Sequence, residues 1–207
     1  MSPRGVPIVD VRERLFAAAE RVLAAEGPGG LSNRAVTGEA GVAKGLLYSH
    51  FADLDEFVAE LVLDRLGAAA REAAALPARA GLATVAGNLT GTALALLASN
   101  GPAVAGLALT RAGASARVRS AMEAGAPGMA QVEDALAAYL EAERELGRVA
   151  PQTDAAALAL AIVGTVHHLL MIGGWGAEDP AERMRRCVAA LALGIRPPGT
   201  TAGRAAD

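Results

Sequence analysis

The residues of this sequence best suited to chemistry stand together in GVAKGLLYSHF, Gly41 to Phe51. The stretch holds Lys44, the single lysine among nineteen basic side chains, followed by Tyr48, Ser49 and His50. An ammonium, a phenol, a hydroxyl and an imidazole at this spacing make a set of hydrogen-bond donors for an anionic surface. Lys44 can donate to guanine N7 and O6 or to a phosphate, and Tyr48 and His50 can donate to phosphate oxygens. Leu46, read as exposed on the same face, suits a thymine methyl. Gly45 has no side chain and lets the backbone approach a groove closely. Upstream, Arg34 can reach a phosphate or a base edge. Ser32 can cap a helix and touch a sugar-phosphate backbone. A genome that prefers arginine also makes lysine rare, so it is the neighbours that give Lys44 its meaning.

Other chemistries find less support. Ser49 and His50 are adjacent and fall on different helix faces, which is poor geometry for a nucleophile and its base. There is no Gly-rich phosphate loop and no carboxylate cluster, so neither an enzyme nor a cofactor is expected. Three histidines (His50, His167, His168) and one cysteine, Cys187, supply no spaced set of metal ligands and no intrachain disulfide. His167 and His168 are neighbours and point to different sides of a helix, so they cannot chelate one ion. The lone thiol fits a reducing, cytoplasmic setting. A net charge of −3 argues against a polycation that coats nucleic acid or lipid, so any nucleic-acid contact must be local. MSPRGVPIVDVRERLF lacks the apolar core of a signal peptide. Ala155 to Trp175 is long enough to cross a membrane. It is rich in Ala and Gly and carries two histidines, so it reads as a helix buried in protein.

Helices must position these groups. Of the 207 residues 53% are apolar, chiefly Ala, Leu and Val, and only six are aromatic, a composition that favours helix over strand. The expected fold is all-α, with about nine helices. Residues 1–9 read as a flexible arm. A first helix starts at Asp10 and stops at Gly27-Pro28-Gly29-Gly30. Ser32 caps a short helix to about Glu39, Gly41 breaks it, and a second short helix runs from about Ala43 to His50. Asp53 and Glu56 form an acidic capping box for a long helix to about Ala75, buried through Leu54, Phe57, Val58, Leu61 and Leu66. Further helices are expected at about 79–99, 103–112, 115–124, 128–147, 154–173 and 180–194, punctuated by X-Pro steps. The segment 196–207 reads as a disordered tail.

Two short helices joined by Ala40-Gly41-Val42 have the dimensions of a helix-turn-helix, whose second helix enters the DNA major groove. From Leu15 to Phe57 the chain resembles the DNA-binding region of TetR-family transcriptional regulators. The likeness rests on Ala18, Leu23, Gly27, Ser32, Val36, Ala40-Gly41-Val42, Gly45, Leu47-Tyr48, His50-Phe51 and the helix opening at Asp53. It covers about a fifth of the chain closely; the rest agrees in length and helical character. Two positions depart from the family: Leu54 stands where many relatives carry a phosphate-contacting lysine, and Ala43 replaces the usual Ser or Thr cap. The first sixty residues also hold nine acids against six bases. Modest non-specific affinity and a shallow salt dependence are therefore expected.

The resemblance implies residues 10–52 as the DNA-binding domain and 53–195 as a linker helix plus a ligand-binding and dimerisation domain. It implies a homodimer through about residues 154–195, reading a palindromic operator with two recognition helices one DNA turn apart. A small, largely apolar effector would occupy the central helices and release the DNA, most simply as a repressor is released. Leu107, Arg111, Met122, Met129, Tyr139, His167 and Trp175 are the candidate lining, with Leu89, Leu97 and Leu169 beside them, although ordinary core packing explains any single one better. Arg111, Arg117 and Arg119 read as a solvated helix face. A helical interaction protein of the same fold that has lost operator binding is the competing reading.

Overall fold

Among the residues that the computed structural model describes, which are 11–99, 104, 106–107, 110–171 and 178–197, only helices and turns occur. The expected N-terminal arm, the start at Asp10, the punctuation at Gly101-Pro102, Trp175 and nearly all of the C-terminal tail lie outside the described residues. The chain divides into two compact units, one of residues 1–62 with 103–121, the other of 63–102 with 122–207. The boundary expected at residue 52/53 falls within the first unit.

In the first unit, α1 (Val11–Glu26) buries Leu15, Phe16, Ala18, Ala19, Val22 and Leu23 along one stripe. It stops where Gly27 takes φ 70° ahead of a 3-10 turn at Pro28–Gly30. α2 (Asn33–Glu39) is capped by Ser32, whose Oγ accepts the Ala35 N–H at 3.2 Å. The short α3 (Leu46–His50) follows. α4 (Leu54–Ala73) starts on Asp53, whose Oδ1 accepts the Glu56 N–H at 2.7 Å. Glu56 reaches back to the Ala52 N–H rather than to that of Asp53 itself. Leu54 and Leu66 are only half-buried, so Phe57, Val58, Leu61 and Val62 carry the packing of that helix's first half. All three phenylalanines, Phe16, Phe51 and Phe57, meet with ring centroids 5.0–5.9 Å apart. This cluster holds α1, the end of α3 and the start of α4 in one core.

The second unit contains α5 (Val85–Ser99), α7 (Met129–Glu145), α8 (Ala155–Met171) and α9 (Pro180–Gly194). α7 packs along α8, and α5 packs against both α8 and α9. α6 (Ala112–Glu123) begins at Ala112, three residues before the expected start, and lies mostly in the first unit. Of the helix expected at 103–112, Val104, Gly106, Leu107 and Thr110 are described and helical, whereas Arg111 is not helical and Ala112 already opens α6.

α5 starts six residues later than the expected Arg79. Pro77–Arg79 forms a 3-10 turn instead, and Gly81 and Ala83 take φ 80° and 50°, conformations that no α-helix contains. Thr84 then caps the helix through its Oγ1, which accepts the Gly87 N–H at 3.0 Å. A buried polar network holds this irregular loop. The Asn88 amide donates to the carbonyl of Leu82 at 2.9 Å and to the Tyr139 hydroxyl at 3.0 Å. Glu143, with no exposed surface, accepts the Gly81 N–H at 3.3 Å and lies 3.3 Å from Arg148 Nε, an ion pair that is not aligned as a hydrogen bond. Arg148 in turn donates to the Ala83 carbonyl at 2.5 Å.

Candidate nucleic-acid interface

The turn between α2 and α3 is closed by backbone bonds. Gly41 takes φ 64°, its N–H donates to the Gly38 carbonyl at 3.1 Å, and the Val42 N–H donates to the Thr37 carbonyl at 3.0 Å. That pair of bonds is the Schellman termination, which requires a left-handed residue at the position Gly41 fills. Arg14 donates from Nε to the Ala40 carbonyl at 2.8 Å, so α1 also holds the end of α2. Val36 and Leu47, both fully buried, close the small interface between the two helices.

The sequence-based start of the recognition helix at Ala43 is corrected by the structure. Ala43 precedes the helix, Lys44 and Gly45 form a turn in which the Leu46 N–H donates to the Ala43 carbonyl at 2.9 Å, and regular helix begins at Leu46. Ala43 brings no side-chain acceptor to a cap, so the first turn tightens on backbone bonds alone. The Asn33 amide donates to the Lys44 carbonyl at 3.1 Å and fixes this turn against the start of α2. Asn33 was not among the expected site residues, and its adjacency to the cap Ser32 is the only signal it gives.

Ser32, Arg34, Lys44, Gly45, Tyr48, Ser49 and His50 are all exposed. Leu46 is half-buried, a correction to its expected exposure, because its position on a five-residue helix turns it partly toward the core. The Ser49 hydroxyl donates to the Leu46 carbonyl at 2.7 Å, so its free capacity is that of an acceptor. Tyr48 is 52% exposed, a large aromatic left at the surface beside Lys44.

Most other basic groups of this unit are engaged. Arg12 pairs with Glu60 and lies 4.6 Å over the Phe51 ring, and Arg21 pairs with Glu39 at 2.5 Å. Two arginines expected to form a solvated face are engaged as well. Arg111 bonds Asp55 at 2.6 Å and Arg117 bonds Asp53 at 2.8 Å. Sequence periodicity cannot show such pairs, since their members lie 56 and 64 residues apart. The Glu56 backbone N–H above all, and then the Arg117 guanidinium, hold the Asp53 carboxyl below its ordinary range. Arg14, Arg34 and Lys44 are cations near the turn with no ion pair among the described residues, and Arg14 is engaged on the Ala40 carbonyl.

The residues expected to line an effector pocket are distributed over both units. Leu107, fully buried, and Arg111 belong to the first; Met122, Met129, Tyr139 and His167 belong to the second. Met122 and Met129 are half-buried and His167 is exposed. Burial and the Glu143 carboxylate push the Tyr139 hydroxyl up to about 12. The second unit has an apolar pocket of about 310 Å³ where Leu94, Leu97, Ala98 and Leu169 meet Pro180 and Arg185 at the start of α9. Leu97 and Leu169 are the two expected residues that line it. No described helix is long and apolar enough to cross a membrane.

A capped helix, a glycine-locked turn and a short helix with an exposed Lys-Tyr-His edge define a helix-turn-helix, and the described residues form only helices and turns. Residues 15–61 match the family model described as bacterial regulatory proteins, tetR family. A protein of Mesorhizobium loti MAFF303099 assigned to the TetR family of transcriptional regulators shares the fold with a TM-score of 0.66. It is 19% identical over 88% of this chain and 93% of its own. FadR of Bacillus subtilis, a transcriptional regulator solved with stearoyl-CoA, has a TM-score of 0.59 at 16% identity over 89% of this chain and 99% of its own. The ketosteroid transcriptional regulator KstR2 of Mycobacterium tuberculosis has a TM-score of 0.57 at 23% identity over 93% and 99%. None of the curated proteins matches the sequence. The fold is that of TetR-family transcriptional regulators, and the likeness carried by the AGV and Y-x-H-F positions is matched by the family model.

Proposed function

We propose that this protein is a non-enzymatic, cytoplasmic transcriptional regulator that binds a palindromic operator as a homodimer and is released from it by a small apolar molecule. The observation that carries the reading is the exposed edge of Lys44, Tyr48 and His50, with Arg34 beside it, on a turn whose geometry is fixed by Gly41 and Asn33. Ser32, Gly45 and Ser49 complete the surface presented to DNA, with a contribution from the exposed part of Leu46. Residues 10–52 serve as the reading domain.

The second unit supports the effector and the dimer. Its pocket is apolar and of small-molecule size, and a neighbour in fold was solved with an acyl-CoA. The candidate lining is Leu97 and Leu169 in the pocket, with Tyr139 and the half-buried methionines as alternatives. Exposed small and apolar residues on α8 (Ala157, Leu160, Ala161, Gly164) and α9 (Ala189, Ala190, Leu193) offer a face for a second copy. Helix α4 runs as one element from Leu54 in the first unit to Ala73 in the second, a continuous connection through which effector binding would alter DNA affinity. Such coupling is reciprocal: the effector must favour the DNA-free state, and DNA must weaken the effector by the same factor.

Selection of genomic fragments with the purified protein at low salt tests the reading, followed by titration of the enriched duplex against wild type and Lys44→Ala. An enriched palindrome whose binding drops by about 10- to 100-fold on the substitution supports a regulator, the range of one lost bidentate base contact. Absence of any enriched sequence at any salt transfers the reading to a helical interaction protein of the same fold.

A further inference from the structure

The start of α4 is an awkward neighbour for DNA. Asp53, Asp55 and Glu56 follow the recognition helix within six residues of His50, three carboxylates next to the surface that must meet a polyanion. α6 answers them with guanidinium groups: Arg111 on Asp55 and Arg117 on Asp53, both within the first unit. Gly113 makes the approach possible, because a Cβ there would run into the Asp55 carboxylate.

The two arginines differ in what they have left to offer. Arg111 is 33% exposed and Asp55 30%, a partly enclosed pair. Arg117 is 43% exposed and its partner Asp53 50%. A guanidinium carries five donors, and the bond to Asp53 Oδ2 at 2.8 Å comes from one nitrogen, NH2. Asp53 has a second claim on its charge, since Oδ1 accepts the Glu56 N–H and the carboxylate sits at the positive end of α4. Exposed ion pairs contribute little, so Arg117 can change partner at small cost.

Its position suits one particular exchange. Asp53 is three residues beyond His50, so their Cα atoms are at most about 11 Å apart. The major groove is about 12 Å wide and is walled by phosphates. A donor held at Asp53 is therefore within reach of the groove wall when α3 lies in the groove. We propose that Arg117 is a DNA-phosphate contact, carried by α6 to the acidic start of α4 and shared between Asp53 in the free protein and a phosphate in the complex. The proposal rests on the DNA-binding reading above and adds to it a contact from a segment far along the chain.

The test compares wild type, Arg117→Gln, Asp53→Asn and Arg119→Gln on the duplex recovered by genomic selection, with binding measured from 50 to 200 mM salt. Arg119 is an exposed arginine of the same helix and controls for the loss of one charge. For a phosphate contact, Arg117→Gln lowers the slope of log K against log salt by about 0.9 per bound protomer, and Arg119→Gln leaves it unchanged. Asp53→Asn breaks the same ion pair yet binds more tightly, with the wild-type slope. If the pair is only structural, Arg117→Gln and Asp53→Asn weaken binding together and Arg117→Gln keeps the wild-type slope, which overturns the proposal. Circular dichroism of each variant reports folding, and Asp53→Asn, which keeps a capping side chain, carries the comparison if Arg117→Gln unfolds. Wild type that binds no duplex removes the DNA-binding reading itself, an outcome separate from an unchanged Arg117 slope.

Discussion

The Asn88 amide donates to the Tyr139 hydroxyl at 3.0 Å, joining α5 to α7 across 51 residues of sequence. Tyr139 has no exposed surface, and burial and the Glu143 carboxylate keep its hydroxyl protonated. Removing the hydroxyl leaves a buried amide hydrogen of Asn88 short of its partner. Tyr139→Phe is therefore expected to destabilise the fold by about 1–3 kcal/mol, although the ring itself still fills its place. Chemical unfolding with urea, read as a lower midpoint at an unchanged slope, checks this.

The same hydroxyl makes stability fall at alkaline pH. A free tyrosine loses its proton near 10, whereas this one holds it to about 12. Below pH 10 the group is neutral in both states and its contribution is fully present. Between pH 10 and about 12 the unfolded chain ionises first, so stability declines, by on the order of 2 kcal/mol over the whole window. Unfolding midpoints of wild type should drop through this range more steeply than those of Tyr139→Phe. Parallel declines in the two proteins would show that Tyr139 is not the titrating group.

Gly41 is needed for its backbone. At φ 64° a side chain is disfavoured whatever the space, and an added Cβ would meet the Arg14 guanidinium at an ordinary 3.4 Å. Gly41→Ala is accordingly expected to cost about 1–2 kcal/mol by conformation alone, and to weaken DNA binding because the turn aims α3. Gly38→Ala, inside α2 with open space around it, should stabilise by up to about 1 kcal/mol. Thermal unfolding of the two variants, shifted in opposite directions, checks the contrast.

Local chemistry made the reading unit legible. Ser32, Gly41 and Asp53 each bond a residue three positions away, so their caps and turn could be read directly from the sequence. The boundary of α5 was not legible, because the Pro77–Thr84 loop depends on Asn88, Glu143 and Arg148, which lie outside it, as well as on its own turns. Distance in sequence hid the Arg111–Asp55 and Arg117–Asp53 pairs in the same way. The pocket was legible only in character. Apolar spacing predicts which helix faces are buried, but not which buried leucines border an empty volume, and Leu97 and Leu169 look no different in sequence from the fully packed Leu89.

The proposed dimer would bury two leucines that the single chain leaves exposed. Leu160 on α8 is 58% exposed and Leu193 on α9 is 60% exposed, and the two helices pack on each other in the second unit. Around Leu160 stand Ala157, Ala161 and Gly164, small enough for another helix to approach closely. In a two-fold interface each substitution acts twice. At roughly 2 kcal/mol per buried leucine, Leu160→Glu is expected to cost about 4 kcal/mol of association, or about a thousandfold in Kd. Leu193→Glu should behave alike, while Leu146→Glu, at an equally exposed leucine on neither helix, should leave assembly unchanged. Sedimentation of the three variants checks the assignment. Dimers that survive both α8 and α9 substitutions would place the interface on another face, and the expected half-site spacing of the operator would have to be derived anew.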